Sequence, residues 1–463
     1  MTDRFAGCHF HEERCTLPNG LRVIAVRRDH LPILSATVLL PAGTAMEAPG
    51  EAGLSSMTAS LLTRGTLRRG AMEIAEAADG IGAGLGVSSD YDYTLAGTGC
   101  LSRDAGEALT LLAEVLIAPS FPDDEVERRR GEILGLLERR RDDPADLVRN
   151  RFLERIYGAH PYHHPREGLP GTLARFTRAD LAGFYRRHYR PDGAVLALVG
   201  DLDPGEAFRL AADLFGGWET EGAAPTSAAT EAAPTPAEAG AAGTPSGVFP
   251  SIYRAGIPPV VGEPGASFDR LQKDGLTQAV IRLGCPGIRR DAPEYLAAVL
   301  MNYLLGGSGA GSRLYRALRE DRGLAYEVFS NVHPRRERGY FFASCRTAVE
   351  TADEALRVVE GELCKLCDEG AAPAEVELAR RFFTGSLPLG LETNDHLATN
   401  ALAREFYGLD EEFWLRDIER LDAISVVEVN EAARRIIQTE RLAVVVAGDF
   451  RESAPDGSVA VPG

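Results

Sequence analysis

The stretches FTRADLAGFYRRHYRPDGAVLALVGDL (176–202) and ISVVEVNEAARRIIQTERLAVVVAGDF (424–450) are two versions of one pattern. Thr177 and Ser425 are each followed three residues later by an acid, Asp180 and Glu428, which is the signature of a reciprocal cap opening a helix. Each helix then leads into an unbroken apolar run that ends in Gly-Asp at Gly200 and Gly448, a pattern that predicts a strand. The caps and the glycines are both 248 residues apart. A pattern that recurs with its internal offsets intact predicts a duplicated structural unit.

Working outward, PSFPDDEVERRRGEIL pairs with AAPAEVELARRFF, setting Glu125-Val126-Glu127 against Glu375-Val376-Glu377. The strand-like run ILSATVLLPAG (33–43) pairs with TQAVIRLGCPG (277–287). Strands before and after long amphipathic helices predict an α+β fold of two homologous halves, each a mixed sheet with helices on one face. Residues 219–250 are rich in Ala, Pro, Thr, Gly and Glu with no apolar period, as expected of a flexible linker. The expected organisation is therefore an N-terminal domain (1–218), the linker (219–250), a C-terminal domain (251–450) and a tail (451–463).

A chain of 463 residues is too long for one hydrophobic core, and 44% hydrophobic with 25% charged residues is ordinary for a globular protein. No apolar run approaches the ~20 residues needed to span a bilayer, and the N-terminus MTDRFAGCHFHEERC lacks the pattern of a leader. A cytoplasmic chain with no membrane partner is expected. The net charge of −18 disfavours nucleic acid as a partner and permits attraction of basic peptides. The arginine runs VERRRGEIL and LERRRDDP carry Val126, Ile133, Leu134 and Leu137 at helical spacing, so the arginines read as the wet face of an amphipathic helix.

Metal, nucleotide and nucleophile chemistry each lack a carrier. Seven scattered cysteines argue for reduced thiols, and the lone Cys364-x-x-Cys367 has no second pair to complete a zinc site. The histidine-rich GAHPYHHPREG, with His160, His163 and His164, is broken by prolines and reads as a loop whose rings bond backbone or water. Gly306, Gly307, Gly309 and Gly311 precede a helix, but Ser312 and Arg313 stand where a phosphate-binding loop needs Lys, so a turn between two helices is expected. No G-x-S-x-G elbow is present.

The segment EAGLSSMTASLLTRGT (51–66) reads as a short helix closed by Gly65, with Leu54, Met57 and Leu61 at core spacing and Ser56 and Ser60 one turn apart. Together with YGAHPYHHPREGLPGTLARFTRADLAGFYRRHYRPDGAVLALVGDLDP and LGGSGAGSRLYRALREDRGLAYEVFS, it resembles the pitrilysin, insulinase and mitochondrial processing peptidase family, over about residues 15–450. Active members of that family carry an inverted H-x-x-E-H zinc motif. Aligned on Gly53-Leu54 and Gly65-Thr66, the resemblance places the two histidines on Ser56 and Ser60, the glutamate base on Ala59 and the third ligand on Leu136. A zinc ion needs protein donors and an acid to activate its water, which two hydroxyls, a methyl and an isobutyl do not supply. No metal and no other cofactor is expected in this chain.

The resemblance implies a different contribution from the second half. An arginine and a tyrosine seven residues apart hold the substrate carbonyl and oxyanion in this family, and the matching residues are Arg319 and Tyr326. The plainer alternative is that Arg319 pairs with Glu320 or Asp321 and Tyr326 is an ordinary strand aromatic. The resemblance implies a non-catalytic subunit of a bacterial heterodimeric zinc endopeptidase, inactive alone. Its partners would be a homologous zinc-bearing chain with H-x-x-E-H, which holds the zinc, and an unfolded peptide. A purely structural role, like that of the core subunits of the respiratory cytochrome bc complex, is the alternative.

Overall fold

The computed structural model describes residues 11–219, 257–409, 413–450 and 459–460. The expected linker, apart from its first residue, and most of the expected tail lie outside the described residues. Strands β1 (Glu12–Thr16), β2 (Arg22–Arg27), β3 (Ile33–Leu40), β4 (Gly84–Ser89), β5 (Thr94–Leu101) and β6 (Val195–Gly200) form one sheet, in the order β1-β2-β6-β3-β5-β4. Strands β7 (Ser267–Gln272), β8 (Gln278–Pro286), β9 (Ala325–His333), β10 (Tyr340–Ala348), β11 (Ala443–Gly448) and β12 (Val459–Ala460) form a second, in the order β12-β7-β11-β8-β10-β9. In both sheets the expected Gly-Asp strand, β6 or β11, lies parallel to one neighbour and antiparallel to the other. The duplication and the mixed sheets follow the sequence pattern.

The helices of the first half are α1 (Leu54–Leu61), α2 (Ala71–Gly80), α3 (Ala105–Ile117), α4 (Asp123–Arg141), α5 (Pro144–Tyr157), α6 (Pro170–Leu173), α7 (Arg178–His188) and α8 (Pro204–Phe215). Those of the second half are α9 (Tyr295–Asn302), α10 (Arg313–Tyr315), α11 (Ala352–Asp368), α12 (Pro373–Ser386), α13 (Asn394–Tyr407), α14 (Phe413–Ala423) and α15 (Val426–Ile436). Both reciprocal caps form: Asp180 takes the Thr177 N–H at 2.7 Å and Glu428 takes the Ser425 N–H at 2.7 Å. Cys364 and Cys367 are two residues of α11, one exposed and one half-buried.

The chain divides into two compact units, one of Met1–Glu132, Arg166–Gly256 and Pro388–Glu411, the other of Ile133–Pro165, Ile257–Leu387 and Glu412–Gly463. Each unit thus contains a helix from the opposite half of the sequence, α13 in the first and α5 in the second. In the second unit, Ala279, Ile281, Leu283 and Cys285 of β8 face a core built with α9, α11 and α15. Alternate residues of β8 face the other way, where Phe152 of α5 packs at Gly284.

Ion pairs fix the two incoming helices. On α5, Arg151 and Arg155 both bind Asp269 of β7, at 2.8 and 2.7 Å. The Arg155 guanidinium, ahead of that of Arg151, holds the buried Asp269 below the usual carboxylate range. On α13 the helix supplies both signs: Glu405 binds Arg22 of β2 at 2.9 Å, while the buried Arg404 donates to Glu12 of β1 at 3.0 Å. Charge-assisted pairs of this kind fix register because a shifted helix would strand a charge.

Candidate functional site

Helix α1 keeps its apolar face buried through Leu54, Met57 and Leu61. Its first N–H groups are met by the buried Glu47, whose carboxylate accepts from Ser55 at 2.7 Å and Gly53 at 3.2 Å. That acid does the work of a cap side chain, which Gly53 lacks. Burial pushes the Glu47 carboxyl well above its ordinary value against the pull of those two bonds.

The positions where zinc donors were expected to be lost are occupied by other contacts. Ala59 is fully buried. Ser56 is half-buried, and Ser60 donates to the Met57 carbonyl at 2.9 Å. The Ser60 hydroxyl also accepts from Arg129 of α4 at 2.9 Å, and Arg129 in turn pairs with Glu132 at 2.8 Å. A guanidinium therefore holds one of the two serines, and a fixed positive charge beside these groups disfavours a divalent cation. Leu136 lies seven residues further along α4 and is half-buried. These residues do not fit a zinc ion. Among the described residues, no group of three His, Cys, Asp or Glu side chains stands where it could hold a metal.

The histidine-rich segment is tied to backbone. His160 bonds the Pro258 carbonyl at 2.8 Å and accepts from Tyr162 N–H at 3.1 Å, while His163 bonds the His160 carbonyl at 2.7 Å.

The second region lies wholly within the other unit. Ser312 caps α10 by accepting from the Tyr315 N–H at 3.3 Å, and the helix widens into a π turn over Arg316–Glu320. Gly323, at φ +63°, ends it: its N–H reaches the Arg319 carbonyl at 3.1 Å and the Leu324 N–H reaches the Leu318 carbonyl at 2.7 Å. This double closure is the left-handed glycine stop read from the sequence. The chain turns directly into β9, where Tyr326 is the second residue.

Arg319 and Tyr326 come together across that turn. The Arg319 guanidinium donates to the Tyr326 carbonyl at 3.2 Å and lies 5.1 Å from the Tyr315 ring and 5.5 Å from the Tyr326 ring. Neither Glu320 nor Asp321 pairs with it, and no carboxylate among the described residues does. Tyr326 is 76% exposed, unusual for a large aromatic on a strand, and Arg319 is exposed too. The arginine is steered by two rings and one carbonyl, with most of its donors left over.

The glycine run supports this turn. Gly306 and Gly307 belong to a second π turn, Tyr303–Gly307, followed by a 3-10 turn over Gly309–Gly311. A Cβ on Gly306 would lie 2.5 Å from the Ser330 nitrogen of β9, so only glycine lets the turn press against the strand that carries Tyr326. Ser330 also donates to Asn302 at 2.8 Å. The π turns on both sides of this loop could not be read from spacing.

Residues 22–168 match the family model described as insulinase (peptidase family M16), and residues 175–383 match the model described as peptidase M16 inactive domain. The chain belongs to the M16 peptidase family. Its M16 relatives include an uncharacterized zinc protease of Mycobacterium tuberculosis, 29% identical over 94% of this chain and 92% of that protein. One of Streptomyces coelicolor is 28% identical over 92% of this chain and 87% of that protein. A peptidase M16 inactive domain from Pseudomonas fluorescens has a TM-score of 0.84 at 26% identity, covering 97% of this chain and 100% of that one. A protease from Helicobacter pylori shares the fold, with a TM-score of 0.81 at 21% identity over 95% and 100% of the two chains. The relatives are named for zinc proteolysis, whereas this M16 chain carries serine and alanine on α1, with the Arg129 guanidinium of α4 bonded to Ser60. Sequence reasoning missed Arg129 and Glu47 because each acts on a segment far from its own neighbours in sequence or carries no motif. Among the described residues, no helix is long and apolar enough to cross a membrane.

Proposed function

We propose that this M16 chain is the non-catalytic subunit of a heterodimeric zinc endopeptidase, supplying Arg319 and Tyr326 to a zinc-bearing partner chain that cleaves unfolded peptides. The observation that carries the reading is the held but unanswered Arg319, exposed beside an exposed Tyr326, in a family whose relatives are named as zinc proteases. A permanent cation and a phenolic donor on one turn are suited to a tetrahedral oxyanion, whose charge develops in the transition state. The donor-poor face of α1 supports the division of labour, since the water-activating metal would have to come from another chain.

The test is reconstitution. The chain alone holds less than stoichiometric zinc and cleaves nothing, and mixing it with a homologous chain that carries H-x-x-E-H yields chelator-sensitive cleavage of an unfolded peptide. Chelator-sensitive cleavage by the isolated chain would overturn the reading.

A further inference from the structure

Most buried charged groups of the described residues are matched by an opposite charge or by backbone donors. Asp269 has Arg151 and Arg155, Arg404 has Glu12, Glu114 has Arg69, and Glu47 has two N–H groups. Arg282 on β8 is different. It is only 9% exposed, its Nε is shut off from solvent without a partner, and among the described residues its guanidinium has no hydrogen bond and no carboxylate within ion-pair distance. Burial pushes it down to about 10, which leaves it charged at neutral pH. The facing acid, Asp146 on α5, is committed to Arg149 at 2.6 Å.

Its setting is built. Arg282 points to the sheet face opposite the helical core, with its guanidinium 4.2 Å from the Phe342 ring centroid. Phe342 is braced by His333, stacked at 5.7 Å, and by Phe329, edge-on at 5.6 Å. Register places Ser344 of β10 beside Arg282 and Phe329 of β9 beside Ser344, so the row runs outward to the β9 edge. The Ser344 hydroxyl donates to the Ile281 carbonyl at 2.8 Å and does not answer the guanidinium. The next cation on this face, Arg346, is neutralised by Glu327 at 3.3 Å. The outer part of this face therefore carries a fixed, largely buried positive charge on an aromatic platform.

An uncompensated buried charge costs stability unless something supplies the counter-charge. We propose that Arg282 is a carboxylate-recognition residue of the peptide-binding surface, taking an acidic side chain or the C-terminal carboxylate of an extended peptide against Phe342. This inference rests on the peptide-handling role proposed above and names an acidic determinant where the net charge of the chain alone would point to basic peptides. A planar guanidinium already held against a ring accepts a carboxylate with two parallel bonds and little loss of side-chain freedom.

The experiment is fluorescence anisotropy on the full chain with three labelled 12-residue synthetic peptides. One has blocked ends and a central Glu, the second replaces Glu with Gln, and the third is the Gln peptide with a free C-terminus. Wild type is expected to bind the Glu peptide, the free-C-terminus peptide or both at least tenfold tighter than the blocked Gln peptide, and which one it prefers identifies the carboxylate source. Arg282→Met abolishes that preference without weakening the blocked Gln peptide and without lowering Tm, because the variant removes an uncompensated charge. Arg282→Lys keeps part of the preference, and if the Met variant fails to fold, the Lys variant and the wild-type series decide. Equal binding of the three peptides by wild type, no binding of any, or a preference that survives Arg282→Met overturns the proposal. If the reconstituted complex still cleaves and still depends on Arg319, the subunit reading stands without it.

Discussion

Helix α1 and the turn after α10 belong to units whose sheets share the order of five strands, yet they present opposite surfaces. On α1, Ala59 is sealed and Ser60 is held both by its own backbone and by Arg129. Beside β9, Arg319 has one carbonyl and two rings, and Tyr326 stands in the open. A polar side chain whose bonds are all internal contributes to the fold. One that is positioned but left with spare donors is available to a ligand.

The sharpest way to break this contrast is Arg319→Ala in the reconstituted complex. Losing one oxyanion donor should lower kcat/KM by roughly 10²–10³-fold, with Tm little changed because Arg319 is exposed and makes no ion pair among the described residues. Tyr326→Phe should cost less, about tenfold or more in kcat. Wild-type rates in both variants would put the two regions on the same footing.

Acid should load both units alike. Burial holds His188, in the first unit, and His164, in the second, down at about 4 against an ordinary 6.5. The unfolded chain therefore takes up these protons first as pH falls. The neutral rings contribute stability above about pH 6.5 that is lost progressively toward pH 4, at most ~3 kcal/mol each. Urea midpoints measured from pH 7.5 to 4.5 should decline, and His188→Gln and His164→Asn should each flatten the decline; a flat wild-type curve would contradict it.

A smaller effect sharpens the role of the turn. Gly323→Ala forces a left-handed residue to carry a Cβ and should cost about 1 kcal/mol. Its loss of kcat in the complex should exceed what the stability change explains, because the turn sets Arg319 against Tyr326. The smallest expected effect is none. Ser56→His, Ala59→Glu and Ser60→His together should not bring stoichiometric zinc, measured by elemental analysis, while Arg129 and Leu136 remain. Zinc bound by that triple variant would show the α1 site to be intact in all but its letters.

The duplicated halves were legible because their signals are local. A cap needs Thr177 and Asp180 three residues apart, and a helix stop needs Gly323 at its end, so each is written in a few adjacent letters. The reading of Ser56, Ala59, Ser60 and Leu136 as zinc-donor positions came instead from the family resemblance, which fixes their offsets. The exchange of α5 and α13 was not legible, since either amphipathic helix could cover either sheet, and the choice is made by Asp269 and Arg22 more than a hundred residues away. Arg282 was equally hidden, one polar letter in an apolar strand.

The sequence alone determined what depends on short-range geometry: the repeat, the strands of the mixed sheets and the caps. The tertiary structure decided which charges meet. It set Arg129 on Ser60, left Arg319 and Arg282 without an ion-pair partner among the described residues, and paired the charges of each incoming helix with opposite charges on its sheet. Desolvation and charge pairing act through space, and the distances they depend on exist only once the chain has folded.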